Sequence, residues 1–357
     1  MIKGVMRGAA VMSMSAIGAA SAFAQEASEV SAYVDNSYLF LIGGIIVMFM
    51  AAGFCMLEAG LVRKKNAAMQ SMKNVALFAI AGIMVWMVGY SMAYPAETIL
   101  GGWIGIPDFF WAPEEDLATG YAASSDWFFQ MVFVATAASI VSGTVAERVK
   151  LWPFLIFTVV LTAFIYPVVA SWEWGGGPLD SNFGFSDFAG STLVHSTGGW
   201  AALVGAIIIG PRIGKFVNGS VHPMPGSNIP LAALGTFILW FGWFGFNGAS
   251  QLAAGTFDDI NAVAKIFANT NMAACGGVVA AMILTALLYK GKVDATMCFN
   301  GAIGGLVSIT AEPLAPSMGA ATLIGAVGGI LVVLAVPLLD KMKIDDVVGA
   351  IPAHLVC

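Results

Sequence analysis

The chain has few charged residues and almost no histidine. Of its 357 residues, 10% are Asp, Glu, Lys or Arg, and three are histidine. A soluble domain usually carries about 25% charged residues, so the composition excludes an ordinary soluble protein. The four cysteines (Cys55, Cys275, Cys298, Cys357) lack the spacing of metal ligands. We therefore predict neither a zinc site nor a disulfide. Pro-rich and low-complexity linkers are also absent, which favours one domain.

Long apolar segments fill most of the chain. Apolar residues make up 59% of the sequence, and the mean hydropathy is +0.86. A helix needs about 20 apolar residues to cross a hydrocarbon core of about 30 Å. Segments of this kind cover residues 38–61, 75–93, 127–145, 151–170, 190–210, 230–247, 269–288 and 318–339, with a shorter one at 296–310. We predict an all-α polytopic membrane protein with nine complete spans and a tenth that begins at Val347.

The N-terminal segment differs from the rest. Lys3 and Arg7 precede a short apolar run that ends in Ala22-Phe23-Ala24. A basic region, an apolar region and an Ala-x-Ala site are typical of a signal peptide. We predict a signal peptide at 1–24 and a membrane domain at 25–357; an uncleaved extra helix is the alternative.

Basic residues alternate between loops in a way that predicts topology. With the mature N-terminus outside, the loops after odd-numbered spans hold twelve Lys or Arg, and the remaining loops hold Lys265 alone. The twelve are Arg63, Lys64, Lys65, Lys73, Arg148, Lys150, Arg212, Lys215, Lys290, Lys292, Lys341 and Lys343. Cytoplasmic loops are enriched in Lys and Arg. We therefore expect a multi-pass protein of the cytoplasmic membrane with its mature N-terminus outside. An acidic loop, which includes Asp126, lies on the outer side.

Two histidines lie inside apolar segments, each eight residues after an aspartate: Asp187 to His195 and Asp346 to His354. An ionisable residue at membrane depth is costly and is by default a functional candidate. The matched spacing in spans five and ten predicts an inverted repeat of two five-helix halves. Asp187 lies at the start of span five, where a carboxylate can cap free N–H groups. The alternative for His195 is a packed histidine bonded to a backbone carbonyl.

Aromatic residues cluster near one end of several spans. They occur within residues 127–133 and 240–246 and at Trp172 and Trp174. Interfacial belts explain many such residues, but Phe133 and Phe246 fall one to two turns deeper. Aromatic rings can hold a cation, and apolar constrictions can block water.

These segments together resemble the ammonium transporter (Amt/Rh) family. The matching pieces are residues 53–60, 146–148, 174–177, 187–195, 242–250 and 345–354. They occur in the family's order over nearly the whole mature chain, and Trp174 favours the Amt branch.

The resemblance implies a role for each of several residues. Trp174, Phe133 and Ser250 would form an outer ammonium recruitment site, and Phe133 and Phe246 would stack as a gate below it. His195, His354 and Trp243 would line the pore, and Asp187 would stabilise the recruitment site. The implied fold is a right-handed bundle around a central pore, assembled as a homotrimer in the lipid bilayer. A PII-type cytoplasmic regulator is a possible partner.

The chain also departs from the family pattern. Leu355 follows the second histidine, where the family usually has glycine, and Gly248-Ala249 replaces a more usual Pro/Ala-Gly pair. The sequence stops three residues after His354, so we expect a C-terminal truncation that lacks the eleventh helix.

Three functions remain open from the sequence. The first is ammonium or ammonia transport, with ammonium deprotonated outside and ammonia passed along the histidines. The second is an ammonium sensor on the same scaffold. The third is a histidine-ligated haem or metal enzyme, which typically needs more histidines on facing helices. No acid/base pair, phosphate loop or nucleophile constellation appears, so we expect no enzyme, no cofactor and no nucleic-acid partner.

Overall fold

A computed structural model describes the backbone of residues 2–357 and the side chains of residues 25–357. The predicted signal peptide, residues 1–24, lies outside the residues whose side chains are described. The α-helices are α1 (Ile2–Leu61), α2 (Ala67–Met84), α3 (Tyr90–Ala93), α4 (Ala123–Thr144), α5 (Leu151–Val160), α6 (Tyr166–Ser171), α7 (Pro178–Phe183), α8 (Thr197–Ile209), α9 (Ile229–Gly248), α10 (Phe257–Leu288), α11 (Ala295–Thr310) and α12 (Met318–Lys341). π-Helical turns occur at Val85–Gly89, Leu161–Ile165, Ser191–Ser196 and Pro352–Val356.

The predicted spans correspond to helices. Within residues 25–357, eight continuous helical segments are long and apolar enough to cross a membrane, and α11 is a shorter ninth. The π-turns join α2 to α3 and α5 to α6, so that each pair forms one span. Two small antiparallel hairpins interrupt the loops: β1 (Thr98–Ile99) with β2 (Ile104–Gly105), and β3 (Phe216–Val217) with β4 (Ser220–Val221). The all-α membrane fold is confirmed.

Two predicted loop residues lie inside helices instead. Lys73 was assigned to a loop, but it belongs to α2 and is 3% exposed. Asp126 was assigned to the acidic outer loop, but it lies in the first turn of α4 and is 7% exposed. Both were misplaced because the boundaries were drawn at the edge of the apolar run, whereas each helix continues through polar residues that have buried partners.

The two Asp-x7-His segments adopt matching local structures. Asp187 accepts hydrogen bonds from backbone N–H groups at the start of the Ser191–Ser196 turn, and Asp346 does so before the Pro352–Val356 turn. Each aspartate is followed three residues later by a glycine with positive φ, 101° at Gly190 and 83° at Gly349. Each histidine then lies in its π-helical turn. The predicted repeat is therefore visible in geometry as well as in spacing.

Opposite ends of the helices carry different chemistry. Arg63, Arg148 and Arg212 lie together at one end, which we call the basic end. There Arg212 forms a buried ion pair with Asp345 (Nε–Oδ2 2.9 Å), and Arg63 pairs with Glu147. The other end carries Trp174 and Ser250 around a cavity, and we call it the aromatic end. The site residues described below are located relative to these two ends.

Candidate functional site

A cavity of about 330 Å³ opens at the aromatic end. Its lining includes Trp174, Phe133 and Ser250, the three residues that were expected to recruit ammonium. The rings of Phe133 and Trp174 pack edge to face with centroids 6.1 Å apart. The hydroxyl of Ser250 donates to the carbonyl of Phe246 at 2.7 Å, so its oxygen lone pairs remain available to accept from a cation. The structure therefore brings these three residues together at one cavity.

Backbone contacts of Asp187 hold Trp174 in place. The Trp174 indole N–H donates to the carbonyl oxygen of Asp187 at 2.9 Å. The Asp187 carboxylate accepts from the N–H groups of Gly190, Ser191, Thr192 and Leu193 at 2.7 to 3.0 Å. Asp187 therefore acts as a helix cap that also fixes the indole. Burial raises its pKa, and the four N–H donors oppose that rise.

Glu173 supports the same loop. One of its oxygens accepts from the Asp187 N–H at 2.8 Å, and Oε2 is buried without a hydrogen-bond partner among the described residues. Burial, and then the negative charges of Asp187 and Asp180, raise the pKa of Glu173 to about 7. Glu173 is therefore a carboxyl group beside Trp174 that titrates near neutral pH.

Two stacked phenylalanines close the cavity. The rings of Phe133 and Phe246 lie 4.0 Å apart between centroids with an interplanar angle of 21°. Both side chains are buried, at 1% and 0% exposure. A dry aromatic stack of this kind excludes hydrated ions. The 4.0 Å distance between centroids shows that Phe133 and Phe246, the predicted gate pair, are in contact.

The two histidines lie beyond this stack. The centroid of His195 is 5.1 Å from that of Phe246 and 5.1 Å from that of His354. The two Nδ1 atoms are 3.1 Å apart, which requires one to carry the hydrogen and the other to accept it. His195 is thus bonded to His354 rather than to a backbone carbonyl, and its Nε2 has no partner within the described chain.

Trp243 forms a wall of the histidine pair. Its ring stacks on His195 at 4.9 Å, and its indole N–H donates to the hydroxyl of Thr310 at 2.9 Å. Because the indole N–H is already hydrogen-bonded to Thr310, Trp243 presents only its apolar ring face to the imidazoles. Trp243 therefore lies beside His195, on the histidine side of the Phe133–Phe246 stack.

The sequence did not identify several polar residues that lie near the stacked aromatic and histidine rings. Asp126, Gln130 and Tyr90 line the cavity at the aromatic end, and the Asp126 carboxylate accepts from both Tyr90 and Gln130. Beyond His354, Glu58 lines a second cavity. Glu58 occurs within an apolar run, which is the signal that could have marked it. Among the residues searched, no group of three or more His, Cys, Asp or Glu could hold a metal ion.

Comparison with known proteins shows which family the sequence matches. Residues 38–357 match the model of the Ammonium Transporter Family. The chain is 45% identical over 282 residues to ammonium transporter Amt2 of Archaeoglobus fulgidus, which covers 76% of this chain and 58% of the relative.

Solved structures are also similar. A protein named Sensor Amt Protein superposes with a TM-score of 0.84 at 38% identity, covering 91% of this chain and 80% of that one. Candida albicans Mep2 superposes with a TM-score of 0.81 at 27% identity, covering 92% and 72%. The chain spans about three-fifths of the length of the curated relatives it matches. On these grounds the chain belongs to the Ammonium Transporter Family, a family of membrane transporters rather than enzymes.

Proposed function

We propose that the chain conducts ammonium, as ammonia plus a proton, across the cytoplasmic membrane. The observation that carries the proposal is the unbroken line from the aromatic cavity through the Phe133–Phe246 stack to His195 and His354. Curated relatives are named ammonium transporters, which supports the same substrate.

The chemistry of the line favours deprotonation at the gate. Trp174 and Phe133 offer ring faces to a cation, an interaction worth about 0.5–2 kcal/mol, and Ser250 offers an acceptor oxygen. Burying a bare ion beyond the rings costs several kcal/mol more than these contacts return. Ammonia is neutral, and it can hydrogen-bond to the free Nε2 of His195. A proton can move separately through the histidine pair, because each imidazole can accept on one nitrogen and donate from the other.

The placement in the membrane is part of the proposal. The basic end would face the cytoplasm by the distribution of Lys and Arg, so the aromatic end and the mature N-terminus would face outward. We further propose a homotrimer in the lipid bilayer, with one path per subunit, and a PII-type protein as a cytoplasmic partner. The exposed apolar side chains on the outer helices, such as Ile208 and Phe237, are suited to contact lipid or another subunit.

Accumulation of ¹⁵N-ammonium in proteoliposomes tests the proposal. Vesicles with the purified chain and an inside-negative potential should accumulate ammonium faster than empty vesicles, and potassium at the same concentration should not enter. Uptake equal to that of empty vesicles, by protein shown to be folded, would contradict transport.

An ammonium sensor is the second candidate, because one similar solved structure is named a sensor. A sensor would bind ammonium at the aromatic end without sustained flux. A change in tryptophan fluorescence with ammonium that is lost in Trp174→Phe, combined with no accumulation, would favour this alternative.

A further inference from the structure

Glu58 is a buried carboxylate on the far side of the histidines, and the line described above does not use it. Its side chain is 1% exposed, near the end of α1. Oxygen Oε2 accepts from Gln70, from Asn74 at 2.7 Å and from Ser142 at 2.8 Å. Oxygen Oε1 is buried and has no partner in the described part of the chain. A buried carboxylate oxygen is costly without a partner, so this atom needs an explanation.

Glu58, whose Oε1 has no partner in the described part of the chain, lines a small cavity that His354 also lines. That cavity has a volume of about 10 Å³, and its lining includes Glu58, His354, Asn300 and Phe54. A space of about 10–15 Å³ holds one water-sized molecule, and ammonia and ammonium are of similar size. Apart from Glu58, His354 and Asn300, the lining is apolar, so Glu58 supplies the negative charge in this space.

The small cavity adjoins a larger one at the basic end. Asn300 and Val348 line both the small cavity and a cavity of about 180 Å³ whose lining includes Arg212 and Asp346. Asn300 donates to the carbonyl of Val348 at 2.9 Å, so these two residues form the partition between the spaces. The line from the aromatic end therefore continues past His354, through the Glu58 cavity, toward the basic end.

Ser142 links the buried cation Lys73 to Glu58. Lys73 donates to the carbonyl of Ser142 at 2.7 Å, and the hydroxyl of Ser142 donates to Glu58. This arrangement satisfies one oxygen of Glu58 and leaves the other free. A purely structural carboxylate would be expected to use both oxygens, since each N–H or O–H it accepts lowers the cost of burial.

We propose that Glu58 is the acceptor group at which ammonia and the proton recombine after His354. The inference rests on the proposed transport function and extends it. A proton that leaves the histidine pair binds Oε1, which turns the carboxylate into a neutral carboxylic acid. Ammonia from His354 then takes that proton on its nitrogen lone pair, which gives ammonium and restores the carboxylate. The ammonium ion leaves past Asn300 and Val348.

Glu58→Gln is the sharpest variant. Its amide oxygen can still accept from Gln70, Asn74 and Ser142, while an NH₂ group faces the cavity and can neither take a proton nor accept from ammonium. The maximum rate of ammonium accumulation should fall at least 10-fold, with little change in the ammonium concentration at half-maximal rate, because the aromatic end is untouched.

Asn74→Ala is the matched control. It removes one donor to Oε2 from the same cluster but leaves the free oxygen and its charge in place. If loss of packing explained the effect of Glu58→Gln, Asn74→Ala would lower transport to a similar extent. The proposal predicts that Asn74→Ala lowers the melting temperature yet keeps most of the rate.

Wild-type vesicles measured in parallel separate this inference from the proposed function. If wild-type protein transports and folded Glu58→Gln transports at the same rate, the inference is wrong while the proposed function stands. If Glu58→Gln fails to fold, infrared difference spectra of wild-type protein with ¹³C-labelled glutamate replace it. An ammonium-induced glutamate carboxyl band that persists in Glu173→Gln supports the role of Glu58, and the absence of such a band overturns it.

Discussion

At the scale of single residues, Asp187 links a helix start to the aromatic cavity. Its two oxygens accept four backbone N–H groups, and its own carbonyl accepts from Trp174. The sequence could suggest a cap because an aspartate precedes an apolar helix. It could not show that the same residue orients the indole, since that contact depends on a loop path of thirteen residues.

Asp187→Asn should destabilise the protein. An amide offers one acceptor oxygen instead of two, so some of the four N–H groups lose their acceptor at about 1–3 kcal/mol each. Thermal unfolding in detergent, followed by tryptophan fluorescence, should show a clear decrease in melting temperature. Asp180→Asn is the control, because Asp180 is an exposed residue of α7, in the segment between Trp174 and Asp187. Equal melting temperatures for the two variants would contradict the capping role.

Glu173 predicts a dependence of stability on pH. Its pKa is raised to about 7 in the folded protein, whereas an unfolded glutamate titrates near 4.3. The folded state therefore binds the proton more tightly, so this stabilisation is complete below about pH 4 and is lost as the pH rises through about 7. Glu173→Gln should flatten the decrease in melting temperature between pH 5 and pH 8 by a few degrees. An unchanged slope would show that Glu173 does not titrate in this range.

At the scale of elements, the two Asp-x7-His segments were the most informative pattern in the sequence. Their spacing predicted a repeat, and the structure adds the positive-φ glycines and the π-turns that place the histidines. The π-turns were not predictable, because periodicity in a wholly apolar segment does not distinguish π from α geometry. The positions of Lys73 and Asp126 were missed for a related reason: hydropathy marks where a segment turns polar, not where its helix begins.

Gly349→Ala should disturb the segment that holds His354. A left-handed conformation costs a non-glycine residue about 1–2 kcal/mol, and a Cβ at Gly349 would also collide with the Asn300 side chain. Gly219→Ala is the control, since Gly219 has a similar φ of 78° with open space around it. We expect Gly349→Ala to lower both melting temperature and transport, and Gly219→Ala to cause only the small loss of stability. Similar effects of the two variants would show that the contact with Asn300 is unimportant.

At the scale of the whole molecule, buried ion pairs join distant loops at the basic end. Arg212, which follows α8, bonds to Asp345 near the end of the described chain and lies 3.6 Å from Glu147. Burial opposes ionisation of Asp345, but hydrogen bonds and charge from Arg212 hold its pKa below the usual value. The sequence predicted basic residues at this end but not their partners, because Arg212 and Asp345 are 133 residues apart and Arg63 and Glu147 are 84 apart, and such separations leave no local pattern.

Asp345→Asn should therefore lower the free energy of unfolding far more than an equivalent change at the surface. Removing Asp345 takes away the hydrogen-bonded partner of the buried Arg212 and leaves only Glu147, at 3.6 Å, as a counter-charge. Breaking a buried pair in this way typically costs about 3–5 kcal/mol. Asp340→Asn breaks the more exposed pair with Lys215 (Nζ–Oδ1 3.0 Å), where about 0.2–1 kcal/mol is expected. Chemical unfolding of both variants measures the difference. If Asp345→Asn lowered the free energy of unfolding no more than Asp340→Asn does, the result would contradict a structural role for the buried network.

The most direct test of the central claim is the current from proteoliposomes after a jump in ammonium concentration. Wild-type protein is compared with His195→Ala, which removes the bond between the Nδ1 atoms of His195 and His354. The account predicts a wild-type current that saturates with ammonium and is lost or strongly reduced in His195→Ala, with the variant still folded. A current of the same size and saturation in both proteins would show that charge does not pass along the histidine pair.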